Sequence, residues 1–553
     1  MKITPVALAL LACAVSLPAH AETPDAPIVF KRDADHCYRI PSVSWAEGKF
    51  VAIAESRSGF NGRRPCSDDG NVDLVMKTSS DGRNWSPSSV VLDNDALSAS
   101  MSDPRSPNYD PAYAKIGKDD RYMRVGSQTL GFADGRLILL LSSRYNTKAD
   151  CGNRFGCDNS PENLRKGAAR ERYIQINSDD FGKTWSSPKR IQSDIYKSCI
   201  STFFGNEANL KNALIPLFED DSKISDALAA RRDEIASAFD DTRHGQRDRL
   251  SDRNYQEIAE KIGIEERIIK ENYSKLSMLF NRRTRPGPGN ITIFPYRGGT
   301  RVFVPGAPLA FYSDDLGKSW TCSDTFAVQK GSERQAAWLG EGRMVMTLRQ
   351  IGGKKSASAH RLFATSTDGG AKWSSDDPLS INGRALLPDA VAQGSMVGIP
   401  GSTPPSAVVS SIANQFGDGL TGSAAANDAD AMDDSREARR ERRRERRERR
   451  TKEDPRKNLA LTRVFFDGGK LSPGFRAQCD AGGATTDTLT VWPGSAAYSA
   501  IIDVPERKAV AVLFEGSDDD GPAVARRAWN ESIRFMEVPL DRLGGMPNAP
   551  VCR

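Results

Sequence analysis

"SSDGRNW" (79–85), "SDDFGKTW" (178–185), "SDDLGKSW" (313–320) and "STDGGAKW" (366–373) are one short phrase written four times along the chain. In each copy the Ser and Asp side chains bond the turn's own backbone, Gly takes the positive φ of a tight turn, and Trp closes the phrase with a large apolar ring. Four copies mark a recurring supersecondary unit, which points to a propeller or an array rather than to a single sandwich.

Around these turns the chain reads as all-β. "SVSWAEGKFVAIAES", "VDLVMKTS" and "GRLILLLSSRYN" are short β-rich runs broken by Gly, Asp and Asn. Two stretches interrupt the pattern. Over 224–282 apolar residues (Ile258, Ile262, Ile269, Tyr273, Leu276, Phe280) recur at three- and four-residue steps and Gly is nearly absent, which predicts a helical insertion docked on the β scaffold. Over 402–455 the composition turns to Ala, Gly, Ser and Asp and ends in "REARRERRRERRERR", the signature of a solvated helix or a disordered segment.

The formal net charge of +5 comes from that tract, since 436–450 alone holds ten Arg against four Glu. The rest is close to neutral, which excludes a charge-based argument for nucleic acid. The tract, opening on Arg436 and ending on Arg450, is read as a solvated spacer, with contact to an anionic surface as the alternative. At the N-terminus Lys2, an apolar run and Ala19-His20-Ala21 make residues 1–21 a signal peptide, with the mature chain starting at Glu22. The protein is therefore expected to be exported to the periplasm, the medium or the cell surface. Leu10-Leu11-Ala12 before Cys13 supports a competing lipoprotein reading. No later run has the length of a membrane span. Of the nine cysteines, the eight beyond Cys13 suit disulfides in an exported chain and allow 105 pairings.

The four turns resemble the Asp-box of the bacterial sialidases (neuraminidases), which are six-bladed β-propellers that cleave terminal sialic acid. "YRIP" (38–41) is similar to that family's F/Y-R-I-P signature, and "GSAAYSAIIDV" (494–504) to its nucleophile strand. The resemblance covers roughly residues 28 to 545 without the two interruptions. It implies a propeller over residues 22–553 and an exo-α-sialidase that acts with retention on sialylated glycoproteins, glycolipids or oligosaccharides. Hydrolysis of a related 2-keto acid sugar (Kdn or Kdo), trans-sialidase activity and a non-catalytic sialic-acid-binding propeller are the alternatives.

Sialic acid carries a carboxylate on its anomeric carbon, so an enzyme must hold one anion and must not attack with another. Guanidinium groups hold a carboxylate through paired charge-assisted hydrogen bonds. The resemblance assigns three such arginines: Arg39 of "YRIP", Arg349 at the end of "GRMVMTLR", and Arg456, for which Arg463 is a competing choice. It gives Arg57, in "AESR", a further substrate contact. For the attack the family uses a Tyr activated by a Glu, here Tyr498 and Glu333. Its general acid is an Asp in the loop after the first blade, and the register selects Asp68 over Asp69. Cys37 and Cys66 each lie two residues before a proposed site residue, Arg39 and Asp68, and are expected to pair. The chain departs from the family at "VGSQTLGF", at "AQGS" (392–395), which lacks a leading Cys, and at "FFDGGKLS", a decayed fifth box. No cofactor is implied. The four histidines have no paired spacing, so no metal site is expected.

Overall fold

The computed structural model describes residues 25–547 except 59–65, 67–70, 118–120, 148–171, 220–222, 242–251, 281–284, 326–330, 351–359, 376–379, 382–383, 386, 388, 390–391, 415–455, 468–469, 481–482 and 518–529. The chain is mostly β. The first sheet runs His36–Ala46, Lys49–Ser58, Asn71–Ser79, Ser89–Leu92, each strand antiparallel to the next. The second runs Arg121–Ala133, Arg136–Thr147, Arg172–Ser178, Lys189–Arg190, with the short strand Gly289–Asn290 added in parallel to Arg121–Ala133. The third (Thr292–Tyr296 to Thr321–Cys322) and the fourth (Gly331–Gly340 to Ser374–Ser375) repeat the same four-strand order.

An eight-stranded sheet completes the series. The strand Thr488–Val504 divides it, because residues 488–495 pair with Lys457–Asp467 and residues 496–504 pair with Ala509–Gly516. The N-terminal strand Ile28–Lys31 adds to the C-terminal strand Ser532–Pro539, so the two ends of the chain share one sheet.

Each sheet is apolar on both faces because it is covered on both. In the first sheet Val51 and Ile53 enter a cluster with Leu137 and Leu139 of the second, while Ala52 and Ala54 enter a cluster with Leu513, Ile533 and Phe535 of the eight-stranded sheet. Phe303 of the third sheet packs with Met344 and Met346 of the fourth. Val345 and Phe363 of the fourth meet Ala407 and Val409 of the eight-stranded sheet.

All four Ser-to-Trp turns join the third and fourth strands of their sheets and are wired alike. The Ser hydroxyl donates to the Asp carboxylate at 2.7–2.9 Å in every copy. It also accepts the Gly N–H at 2.7–3.0 Å. Each turn then anchors on the preceding sheet. The Trp85 ring lies 5.3 Å from Phe535, Trp320 Nε1 donates to Gln175 Oε1 at 3.0 Å, and the Trp373 ring lies 5.5 Å from Phe303. In the second turn it is Gly182, at φ 81°, whose added Cβ would meet Met76 Sδ at 2.5 Å.

Two expected boundaries move. The helical stretch opens at Gln192–Phe204 rather than near residue 224, because Ile195, Cys199 and Phe203, with Tyr196, Ile200 and Phe204, already bury one helix face. Its helices share a core with Ile138 and Tyr173 of the second sheet and with Val302 and Phe311 of the third, and Cys199 is disulfide-bonded to Cys322. The expected polar interruption from residue 402 gives way to the strand Ser406–Asn414, in which Ala407, Val408 and Val409 are buried. The expected signal peptide 1–21, Asp68 and the tract 436–450 lie outside the described residues. Among the described residues no helix is long and apolar enough to cross a membrane.

Candidate active site

Four strands break register at positions that hydrogen bonds bring together: between Arg39 and Ser42, between Gly126 and Thr129, between Ser332 and Arg334, and between Ala496 and Ser499. Three residues at these breaks, Ile40, Ser127 and Glu333, have φ of 55°, 51° and 42°. Such bulges re-aim side chains out of the sheet, and left-handed backbone at a non-glycine residue costs energy that packing must supply.

The re-aimed side chains converge. Tyr498 Oη donates to Glu333 Oε1 at 2.5 Å. Arg349 Nη1 donates to Glu333 Oε2 at 2.5 Å and to Tyr498 Oη at 3.1 Å. The Arg39 guanidinium carbon lies 5.4 Å from the centroid of the Tyr498 ring. Burial pushes the Tyr498 phenol well above the usual range and the Glu333 charge adds to it, while the charges of Arg349, Arg39 and Arg456 pull the other way. Burial works against the charge on Arg349, but Glu333 outweighs it and holds the guanidinium more firmly protonated than usual.

Arg456 precedes the strand Lys457–Asp467, where its carbonyl accepts the Ala496 N–H at 3.1 Å and its charge acts on Tyr498. Its competitor Arg463 is placed elsewhere, with Nε on Ser406 Oγ at 2.9 Å and the guanidinium over Phe465. Arg57 is buried and ion-paired with Glu55. Cys37 and Cys66 form a disulfide, Cα to Cα 5.1 Å, which ties the segment leading to Asp68 onto the strand of Arg39.

Two buried carboxylates escaped the sequence reading. Glu515 takes Arg39 Nε at 2.9 Å and Nη2 at 3.2 Å, the Ile40 N–H at 2.9 Å and the Tyr498 N–H at 3.4 Å. Glu55 takes Arg57 and the Ser127 N–H. Their signal was present, since "AVAVLFEG" and "FVAIAES" each carry one acid inside an apolar strand. A buried carboxylate needs cations and N–H donors around it. Among the described residues no group of three His, Cys, Asp or Glu side chains has the arrangement of a metal site.

No protein-family model matches the chain, and no curated protein matches it by sequence. Among solved structures it is similar to a mutant of Trypanosoma rangeli sialidase displaying trans-sialidase activity, at 13% identity over 94% of this chain and 59% of that one, TM-score 0.45. It is also similar to Trypanosoma rangeli sialidase in complex with sialic acid, at 14% identity over 93% and 58%, TM-score 0.44. A third is Penicillium chrysogenum alpha-L-arabinanase complexed with arabinobiose, at 10% identity over 94% and 99%, TM-score 0.41. The chain spans less than two-thirds of the two sialidase chains, 59% and 58% of their lengths.

Proposed function

We propose that this protein is an exported retaining exo-α-sialidase on a six-bladed β-propeller. The observation that carries the reading is the Tyr498 phenol at 2.5 Å from Glu333, with the charges of Arg349, Arg39 and Arg456 acting on the same phenol. A phenol hydrogen-bonded to a carboxylate, with three guanidinium charges acting on it, suits a substrate whose anomeric carbon bears an anion. In the propeller reading the eight-stranded sheet counts as two blades that meet at Ala496, and the four Ser-to-Trp turns are Asp-boxes. Two disulfides among the described residues fit an oxidising compartment.

Arg39, Arg349 and Arg456 hold the substrate carboxylate. The phenol, kept neutral by its surroundings, approaches without adding repulsion. Glu333 takes its proton as Tyr498 Oη bonds to the anomeric carbon, and Asp68 gives its own proton to the departing oxygen. In the second half Asp68, now a carboxylate, takes a proton from water, which displaces Tyr498 as the phenol takes its own proton back from Glu333, and the anomeric configuration is retained.

A fluorinated sialosyl fluoride slows the second half and should trap the sugar on the peptide containing Tyr498. Tyr498→Phe should lose both the adduct and turnover of methylumbelliferyl sialoside, assayed beside the Kdn and Kdo analogues. A label on another residue, or inverted product by NMR at early times, would sink the mechanism.

A further inference from the structure

Residues 392–395, ahead of the strand Met396–Ile399, bond to residues on or beside the strands that carry Arg349, Tyr498 and Glu333. Ala392 O accepts Arg361 Nη1 at 2.9 Å, and Arg361 Nε donates to Thr347 Oγ1 at 3.1 Å, two residues before Arg349 on the same strand. Gln393 Nε2 donates to Pro288 O at 3.0 Å, while its Oε1 accepts the Ser499 N–H at 3.0 Å. Ser395 Oγ accepts the Ile501 N–H at 3.0 Å and donates to Gln335 Oε1 at 3.4 Å, two residues after Glu333. A Cβ at Gly394 would fall 2.5 Å from Arg361 Nη2, so the segment also makes room for that guanidinium.

Topology explains why these bonds are needed. From Ala496 onward the strand Thr488–Val504 has a ladder neighbour on one side only. The N–H groups of Ser499 and Ile501 face the open side, where a buried donor must find a side-chain acceptor. Ser499 follows Tyr498 directly, so whatever fixes its N–H fixes the root of the phenol. Gln393 is buried with both ends of its amide committed to backbone groups, so it acts through the strand and not on a ligand.

We propose that Gln393 is a positioning residue, which sets the Tyr498 phenol on Glu333 by holding the Ser499 N–H. This rests on Tyr498 and Glu333 being the nucleophile and its base. The carboxylate-binding arginines stand on other strands, so the loss should fall on the chemical step and spare binding.

Gln393→Met keeps the volume and removes both hydrogen bonds. Its kcat on methylumbelliferyl sialoside should fall roughly a hundredfold, as a misplacement of about 1 Å does, with KM within about twofold. Gln393→Glu is the rescue. Burial favours its neutral acid, whose O–H and C=O restore both bonds. Its kcat relative to wild type should therefore climb as pH falls, while the Gln393→Met ratio stays flat. A Gln393→Met enzyme with wild-type kcat, or with kcat and KM damaged alike, overturns the proposal. If that variant does not fold, a Gln393→Glu enzyme whose kcat stays roughly a hundredfold below wild type even at low pH, where its neutral acid restores both bonds, overturns it instead. Should the wild type turn over no sialoside, the functional reading fails, and crystal structures decide the positioning role. Tyr498 Oη still at hydrogen-bond distance from Glu333 in Gln393→Met refutes it, and separation beyond that distance supports it.

Discussion

Arg39 owes its place to Glu515, a fully buried carboxylate that also holds the Ile40 and Tyr498 N–H groups. Glu515→Gln keeps the size and removes the charge. Hydrogen bonds to charged groups are worth about 1.5–3 kcal/mol, so kcat/KM on a sialoside should drop at least about tenfold. Turnover equal to wild type would deny Glu515 this role. A second residue-scale expectation concerns Asp503, on the strand of Tyr498, one of whose oxygens is buried without a hydrogen-bond partner among the described residues. Burial first, and then the charge of Glu506, push its carboxyl up to about 6 from the ordinary 3.8. The folded state thus binds the proton more tightly than the unfolded chain. Its stabilising effect is complete below 3.8 and is lost as pH rises through about 6. Asp503→Asn should therefore raise Tm at pH 7.5 and leave it unchanged relative to wild type near pH 3.5. A gain that persists undiminished in acid would contradict the linkage.

The Ser-to-Trp turns act as elements, each closing its own hairpin and pinning it to the preceding sheet. Trp373 is the strongest anchor to test. Its ring is buried against Phe303, and its Nε1 donates to Gly370 O at 3.0 Å and Ser323 Oγ at 3.1 Å. Trp373→Ala should cost about 3–5 kcal/mol in chemical denaturation while the folded fraction keeps its kcat/KM. Trp185 stands in an equally well-formed turn but is only half-buried. Trp185→Ala should therefore cost less, and the reverse order would show that turn chemistry, not ring burial, carries the anchor.

Across the molecule the sheets are joined at their innermost strands by buried amides as well as by apolar faces. Asn290 is the widest bridge. Its Oδ1 accepts the Val43 N–H at 3.1 Å, its Nδ2 donates to Ile501 O at 2.8 Å, and its own N–H donates to Gln335 Oε1 at 3.1 Å. One side chain thus connects the first sheet to the eight-stranded sheet. Asn290→Ala leaves a buried donor and a buried acceptor unpaired, at about 1–3 kcal/mol each, and should lower stability by roughly 2–6 kcal/mol. Because both sheets also carry site residues, the same variant should lower kcat, and a variant as stable as wild type would show that water replaces the amide.

Local chemistry was legible in the sequence. Turn wiring depends on residues within five positions of one another, so the four repeated phrases announced their own hydrogen bonds, and short β-rich runs broken by Gly, Asp and Asn announced strands. The helical face of Gln192–Phe204 and the strand Ser406–Asn414 carried equally local signals that polar neighbours masked. "YRIP" and "GSAAYSAIIDV" marked where to look for Arg39 and Tyr498. The distances between them are another matter, since Glu333 and Tyr498 are 165 positions apart and Arg39 and Glu515 are 476 apart. Their meeting depends on the joining of the chain's ends in one sheet, on four strands breaking register beside one another, and on side chains that satisfy the N–H groups those strands leave open. A linear pattern records which residues can make such bonds. Only the packed sheets decide which of them do, because a buried charge or N–H settles on whatever partner the fold brings within about 3 Å.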